Sequence, residues 1–311
     1  MDERSRMVED GGQAQDGAGE ERNLLSPAAA LTERSRAERE TIASQSHPNA
    51  ALIHETIRAE GEAELKRASS ALLLSGFAAG LSIGVSVIAQ GSLRARLPDA
   101  PWRPLVDSLG YSVGFLIVVL GRQQLFTENT LTPILPLLHN RDRATLLRVA
   151  RLWALVLAAN IVGTLVMGAT LALATIFPPE TQAAFAELGR HTMAGSFGQT
   201  LLRAVFAGWL IALMVWLLPA VGSARPFMIV VITYAISLGG FSHLIAGSVE
   251  AAYAAAAGEA TWADYALRFF LPTLVGNVLG GVALVAGLNW GQVAPQLAPP
   301  LASSGDDQPS A

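Results

Sequence analysis

Residues 237–247 read SLGGFSHLIAG, and they interrupt an apolar run that is otherwise long enough to cross a lipid bilayer. Gly239 and Gly240 can adopt backbone conformations that are closed to other residues, so a helix can stop and restart there. Backbone groups freed in this way are tolerated at membrane depth only where protein buries them or where they line a cavity. His243 lies at this predicted break, and the helix N-terminus that follows favours anions. The stretch therefore predicts a broken membrane helix beside a site for a small solute.

The composition indicates a membrane protein, because 51% of the 311 residues are apolar and only 15% are charged. The mean hydropathy is +0.41, and half of the charged residues lie in residues 1–67. Apolar runs of about 18 residues or more are typical of membrane spans. We therefore predict an all-α membrane protein with six transmembrane helices, at about 68–89, 102–138, 146–176, 200–221, 226–256 and 265–290. The second and fifth are too long for a simple crossing and each is interrupted, so both are predicted to be broken helices.

An internal repeat supports the two breaks. The third span contains ANIVGTLVMG and the sixth contains GNVLGGVALVAG, so Asn160 and Gly163 match Asn277 and Gly280 at a common offset of 117 residues. The same offset places Leu125, Phe126 and Thr127 opposite Ser242, His243 and Leu244, so that one break faces the other. Because each half holds three helices, an odd number, the halves are predicted to have opposite orientations in the membrane.

The second span contains the polar stretch GRQQLFTENT at residues 121–130, followed by Pro133 and Pro136. Proline cannot occupy an unperturbed helix interior, and the polar residues do not suit lipid. One interpretation is that the LFT segment lines a pathway. The other is that the span ends near Arg122 and continues as an ordinary loop with a short apolar helix.

The termini are polar. We predict a disordered N-terminal tail at 1–49, a surface helix at 50–67, a channel domain at 68–290 and a disordered C-terminal tail at 291–311. Lys and Arg are more frequent before span one and between spans two and three than in the loops on the other side. This bias predicts that both termini are cytoplasmic and that the protein crosses the cytoplasmic (inner) membrane several times.

Several function classes lack support in the sequence. There is no cysteine, no phosphate-binding loop, no zinc-type histidine spacing and no GxSxG motif, so we expect neither an enzyme nor a metal or other cofactor. The net charge of -4 gives no indication of nucleic-acid binding. No arginine ladder or potassium-filter sequence is present either.

His243 has two interpretations. It is either a neutral histidine satisfied by one hydrogen bond in a helix interface, or a pore residue whose protonation is coupled to an anionic solute. Glu128 and Glu250 are weaker candidates for a proton route, because either could instead lie near an interface or cap a half-helix.

The two interrupted stretches resemble the formate/nitrite transporter family. GRQQLFTENTL is similar to that family's LFT loop in span two, GGFSHLIAG to its GF-x-H loop in span five, and GNVLGG also fits, with coverage of about residues 50–290. The resemblance implies an aquaporin-like fold, a homopentamer in the bilayer, and a pore in each protomer for small monovalent anions or their acids. By position, Thr127 and His243 match the pore residues of the family. The matching constriction residues are Leu125, Phe126, Tyr111, Phe115 and Ile236.

Three positions depart from the pattern of characterised members. Gly208 lies where an asparagine commonly precedes a tryptophan by eight residues, Ile236 replaces a frequent aromatic residue, and Glu128 directly follows the loop threonine. These features resemble the YfdC-like branch of the family. We predict a channel or secondary transporter for small monovalent anions of the formate or nitrite type, or for their conjugate acids, with a pH dependence that acts through the central pore histidine, His243. The alternatives are a channel for a neutral solute such as water or ammonia, and a non-conducting membrane scaffold or sensor.

Overall fold

The structure is a computed structural model that describes residue 38 and residues 48–297, without the side chains of residues 295–297. The unit that begins at Pro48 contains all the elements below. Of the predicted N-terminal tail, residues 1–49, all but residues 38, 48 and 49 lie outside the described residues. The predicted C-terminal tail, residues 291–311, is described only as far as residue 297, where the chain is still helical.

Helices account for nearly all of the described residues, which confirms the predicted all-α fold. The last helix contains two π-helical stretches, at Tyr265–Phe270 and Leu279–Gly287. We number the main helices α1 Ala50–Leu65, α2 Ser69–Arg96, α3 Arg103–Leu120, α4 Ile134–Asn140, α5 Arg143–Leu173, α6 Pro179–Met193, α7 Phe197–Leu217, α8 Arg225–Leu238, α9 Leu244–Ala256 and α10, residues 262–297.

Among the described residues, five helices are long and apolar enough to cross a membrane, namely α2, α3, α5, α7 and α10. The fifth predicted span consists of two shorter apolar helices, because α8 ends at Leu238 and α9 begins at Leu244. The second predicted span is also divided, since α3 ends at Leu120 and α4 begins at Ile134. The predicted breaks in spans two and five are therefore confirmed. We call residues 121–133 the first break and residues 239–243 the second break.

The two breaks begin with the same backbone geometry. In each, a glycine with φ -75° ends the helix, and the next residue is left-handed, with φ 51° at Arg122 and 62° at Gly240. The N–H of the residue after that donates to a carbonyl oxygen of the preceding helix, with an N–O distance of 3.0 Å in both breaks. Glycine is suited to the left-handed position, which explains the second glycine of the GG pair. The matched pairs are Gly121 with Gly239, Arg122 with Gly240, Gln123 with Phe241, and Val118 with Ile236.

These pairs are 118 residues apart, so the offset of 117 is wrong by one residue within the breaks. The structure sets Leu125, not Phe126, opposite His243. The offset of 117 holds for Asn160 and Asn277, because the first half has one residue more between its break and its third helix.

Glycine allows backbone contact between helices at equivalent places in the two halves. A Cβ atom added to Gly80 on α2 would lie 2.3 Å from the carbonyl oxygen of Asn160 on α5. A Cβ atom added to Gly208 on α7 would lie 2.3 Å from the carbonyl oxygen of Asn277 on α10. The small residues of these spans therefore serve close helix packing.

Candidate functional site

The side chain of Asn160 on α5 forms hydrogen bonds with the backbone of the first break. Its side-chain Oδ1 accepts from the Phe126 N–H at 2.8 Å, and its Nδ2 donates to the carbonyl oxygens of Gln124 at 2.8 Å and Gly76 at 2.7 Å. The side chain is fully buried. One side chain therefore satisfies an N–H and a carbonyl oxygen of the break, and it also bonds the backbone of α2.

Asn277 on α10 does the same for the second break. Its Oδ1 accepts from the Leu244 N–H at 2.9 Å, and its Nδ2 donates to the carbonyl oxygens of Ser242 at 3.0 Å and Ala204 at 2.8 Å. We call these two side chains the asparagine clamps. The sequence indicated them only as repeat markers, and their hydrogen bonds now explain why the repeat retains asparagine.

Thr127 and His243 meet between the two breaks. The Thr127 Oγ1 lies 2.8 Å from the His243 Nε2, and both residues are almost completely inaccessible to solvent. The other ring nitrogen, Nδ1, accepts from the Ala246 N–H at 3.1 Å and so caps the N-terminus of α9. Because a backbone N–H can only donate, Nδ1 carries no proton in this arrangement. His243 is therefore neutral, with its proton on Nε2 donated to Thr127.

Charging the imidazole would require a proton on Nδ1, and the cap of α9 would then be lost. The group that can act on a solute is instead the Nε2–H, once it is released from Thr127. The hydroxyl of Thr127 can also donate, because its oxygen accepts from His243 and its own hydrogen is free to turn. The pair thus offers two donors to an acceptor that enters between them.

Apolar residues enclose this pair. The Phe115 ring stands edge-on to the His243 ring with centroids 5.0 Å apart, and Tyr111 lies 5.1 Å from Phe115. Ile236, at the end of α8, is fully buried. Leu125 and Phe126 of the first break are also buried, and Phe126 packs edge-on against Trp153 at 5.6 Å. The structure therefore places all five predicted constriction residues in the core.

A cavity of about 70 Å³ reaches His243 from one side, and we call it the His243 vestibule. Tyr111, Glu250, His191 and Arg203 are among its lining residues. Glu250 accepts a hydrogen bond from the Thr192 hydroxyl. Burial lowers the pKa of His191 below its ordinary value, and the nearby Arg203 guanidinium lowers it further. This vestibule therefore carries permanent positive charge from Arg203, whereas His191 is mainly neutral at pH 7.

Ion pairs hold α6 over this vestibule. Arg94 on α2 bonds both carboxylate oxygens of Glu187 at 2.7 and 2.9 Å, and it also reaches Asp107 at 3.1 Å. The hydrogen bond from Arg94 lowers the pKa of the Glu187 carboxyl, so the pair remains charged over a wide pH range. Leu188 and His191 of α6 are thereby fixed in the cavity wall.

A second cavity, of about 280 Å³, lies against the first break, and we call it the Glu128 vestibule. Among the described residues, none lines both this vestibule and the His243 vestibule. Its charged lining residues are Glu60, Glu64, Arg122, Glu128 and Arg225. The sequence predicted a polar first break but gave no sign that α1 supplies two of these carboxylates.

Helix α1 contacts the first break directly. The Gln124 Nε2 donates to Glu64 at 2.9 Å, and Gly61 packs on the carbonyl oxygen of Thr132 with no room for a Cβ atom. The buried face of α1 is formed by Ile53, His54, Ile57, Gly61 and Leu65. The segment predicted as a surface helix is thus one wall of the Glu128 vestibule.

Gly208 does not leave His243 without a partner. Both ring nitrogens of His243 are satisfied, by Thr127 and by the Ala246 N–H. Gly208 instead touches the backbone of Asn277, where a larger side chain has no room. Among the described residues, no group of three or more His, Asp or Glu side chains is placed to hold a metal ion.

Two halves with matching helix breaks, a buried polar pair where the breaks meet and a cavity beside each break are features of a membrane protein of the transport class. The family model described as "Formate/nitrite transporter" matches residues 51–291. The chain therefore belongs to the formate/nitrite transporter family, as the interrupted stretches predicted.

Named relatives agree with this assignment. The chain is 42% identical over 241 residues to "Inner membrane protein YfdC" of Escherichia coli (strain K12), which covers 78% of either chain and confirms the predicted branch. It is 27% identical to "Formate channel BtFdhC" of Bacillus thuringiensis, over 75% of this chain and 91% of that protein.

Solved structures show the same fold. An "FNT family ion channel" gives a TM-score of 0.67 at 18% identity, covering 77% of this chain and 98% of the other. A "Pentameric formate channel with formate bound" gives a TM-score of 0.62 at 18% identity, covering 73% of this chain and 98% of the other.

Proposed function

We propose that this protein is a channel or secondary transporter for small monovalent anions of the formate or nitrite type, or for their conjugate acids. Family membership and the formate channel among its relatives support this substrate class. The observation that carries the proposal is the Thr127–His243 contact of 2.8 Å, which lies in the core where the two helix breaks meet.

In the proposed mechanism, Arg203 attracts an anion into the His243 vestibule. The anion then displaces the mutual contact of Thr127 and His243 and accepts hydrogen bonds from both. A bare charge is costly between Phe115, Ile236 and Leu125, so the solute crosses with its charge partly or fully neutralised. Neutralisation makes transport dependent on pH.

We propose that the Glu128 vestibule faces the cytoplasm and that both termini lie on the same side. The Lys and Arg bias supports this, and α1, which follows the N-terminal segment, lines this vestibule. We also propose a homopentamer in the inner membrane, supported by the fold shared with a pentameric channel and by the inner membrane relative.

The test is uptake by proteoliposomes of formate, nitrite, acetate, lactate and hydrosulfide at two pH values. His243→Asn is the informative variant, because asparagine keeps a side-chain cap for α9 but lacks the Nε2–H. We expect the wild type to take up at least one of these solutes, faster at the lower pH, and His243→Asn to lose that uptake. If His243→Asn matches the wild type at both pH values, His243 has no part in transport.

Membrane orientation can be tested in intact cells with single-cysteine variants, because the chain contains no cysteine. Arg143→Cys and Glu180→Cys each place one thiol at an exposed site on a different side of the predicted topology. In intact cells, we expect an impermeant thiol reagent to label Glu180→Cys and to spare Arg143→Cys. The reverse pattern would contradict cytoplasmic termini.

A neutral solute is the second candidate, favoured by the acidic lining of the Glu128 vestibule. Flux that does not respond to membrane potential or to competing anions would support it over the first.

A further inference from the structure

We propose that Gln123 and Glu128 form a binding site for the protonated, neutral form of the transported acid, and that Glu128 exchanges a proton with it. This inference rests on the proposed function and specifies how the solute loses or gains its proton. It concerns the Glu128 vestibule, whereas Thr127 and His243 lie in the core beyond it.

The first observation is a pair of unpartnered acceptors. The Gln123 Oε1 and the Glu128 Oε1 are both shielded from solvent, and neither has a hydrogen-bond partner among the described residues. Both residues line the same vestibule. A buried acceptor without a donor costs about 1–3 kcal/mol, so each oxygen favours a solute that brings a hydrogen to donate. A carboxylate anion such as formate has no such hydrogen, whereas its conjugate acid has one.

The second observation is the charge around this site. Three carboxylates, of Glu60, Glu64 and Glu128, face the vestibule together with the guanidinium groups of Arg122 and Arg225. Arg122 lies 3.6 Å from Glu60 with a side chain 72% exposed, so its charge is directed to Glu60 and to solvent. Glu64 accepts from Gln124 and is also paired with Arg67 at 3.0 Å. Glu60 and Glu64 are thus both paired with arginines, and the like charge that an anion meets beside the first break is the Glu128 carboxylate, to which a neutral acid can donate its hydrogen.

The contrast with the His243 vestibule agrees with this assignment. There the lining charges are Arg203 and Glu250, and Glu250 already has a donor in Thr192. The His243 vestibule thus offers the Arg203 guanidinium to an anion, whereas the Glu128 vestibule offers the unpartnered oxygens of Gln123 and Glu128 to the O–H group of an acid. A proton must be exchanged between them.

The backbone holds Glu128 close to the pore. Glu128 directly follows Thr127 and begins the 3₁₀ turn Glu128–Thr130, and its carbonyl oxygen accepts from the Thr132 hydroxyl at 3.0 Å. The Glu128 N–H donates to the Leu125 carbonyl oxygen at 3.1 Å. The carboxyl therefore projects from a fixed turn beside the pore threonine.

The step itself is a simple proton transfer. On the other side, the anion takes a proton from hydronium in the His243 vestibule, which leaves water. When the resulting neutral acid arrives from the pore, its O–H bond breaks, the electron pair stays on the departing anion, and an O–H bond forms on the Glu128 carboxylate. Water in the vestibule then removes that proton. In the opposite direction, protonated Glu128 gives its proton to an incoming anion, which crosses as the acid.

The experiment compares the full-length wild type with Glu128→Gln and Glu128→Asp in proteoliposomes that contain a pH-sensitive dye. Formate is the probe, and both its uptake and the acidification of the lumen are followed from pH 5 to pH 8. Glu180→Gln, at an exposed site on α6, is the matched control. Size-exclusion profiles and unfolding temperatures establish that each variant is folded.

We expect Glu128→Gln to lower formate uptake at least about tenfold and to flatten its pH profile, since positioned acid–base groups contribute about a hundredfold or more. Glu128→Asp should restore part of the rate and the pH dependence, and Glu180→Gln should match the wild type. If Glu128→Gln does not fold, Gln123→Met is used instead. We expect this variant to need a severalfold higher formate concentration than the wild type for half-maximal uptake at low pH.

A folded Glu128→Gln protein with the rate and pH profile of the wild type would overturn the inference and leave the proposed function intact. In contrast, failure of the wild type to take up any solute of the panel would reject the proposed function itself. The two failures are therefore distinguishable in one set of preparations.

Discussion

The two helix breaks are alike in backbone and different in side chains. Each starts with a glycine and a left-handed residue, and each is paired by an asparagine from the third helix of its half. Beyond that point, the first break continues with Thr127 and Glu128 through a 3₁₀ turn, whereas the second places His243 as the cap of α9. The repeat supplies the scaffold, and the chemistry lies where the halves differ.

In the proposed mechanism, this difference gives the two vestibules separate tasks. The second break presents a neutral imidazole, fixed at both ring nitrogens, to the His243 vestibule. The first break presents a carboxyl with an unpartnered oxygen to the Glu128 vestibule. A symmetric fold can therefore treat the two membrane sides unequally.

Removing the asparagine clamps should have the largest effect on stability. Asn160→Ala and Asn277→Ala each remove the partner of one N–H and one carbonyl oxygen of the break, together with one hydrogen bond to a neighbouring helix. We expect each variant to lose about 3 kcal/mol or more, or to fail to fold. Thermal unfolding in detergent measures this. If one variant is as stable as the wild type while the other unfolds, the clamps are not equivalent.

Alanine substitution of the glycines at the helix contacts should cause the next largest loss of stability. Gly80→Ala and Gly208→Ala each place a Cβ atom 2.3 Å from a backbone oxygen, so the helices must separate, at a cost of about 1–3 kcal/mol. Gly198→Ala, where a Cβ atom meets nothing within 4 Å, is the control and should be neutral or slightly stabilising. Unfolding temperatures decide this. Equal stability of all three variants would contradict the close backbone contacts.

Replacing His243 by alanine or by asparagine distinguishes its role as the N-terminal cap of α9 from its proposed role in transport. His243→Ala removes the acceptor for the Ala246 N–H and should cost about 1 kcal/mol, while His243→Asn should retain most of that stability. Both should lose uptake. A His243→Asn protein as unstable as His243→Ala would show that Nδ1 is not the cap.

The smallest effect is expected for His54 on α1, the helix that forms one wall of the Glu128 vestibule, and it concerns the pH dependence of stability. Burial lowers the pKa of His54 below its ordinary value of 6.5, and Glu55 opposes this only in part. The unfolded chain then binds more protons than the folded one, so His54 contributes stability above about pH 6.5 that is lost as the pH falls below it. We expect the difference in Tm between pH 7.5 and pH 5.5 to shrink in His54→Leu. An unchanged difference would exclude His54 as its source.

Much of the fold follows from the sequence, because apolar length, paired glycines and an Asn–Gly repeat are local signals. The breaks were predicted for the same reason, whereas the alignment across them was wrong by one residue since the extra residue lies in a region without repeat signal. Long-range contacts were not predictable. The position of Glu64 against Gln124 and the packing of Gly208 on Asn277 depend on how distant helices meet.

The central claim is that solute passes between Thr127 and His243, and a single thiol tests it most directly. Thr127→Cys introduces the sole cysteine of the chain, and Leu173→Cys, whose side chain is 75% exposed on α5, is the control. Formate uptake is measured before and after treatment with mercuric ion, with modification followed by mass. We predict that both thiols react and that only Thr127→Cys loses uptake. An unreactive thiol at position 127, or a modified one that leaves uptake unchanged, would contradict the claim.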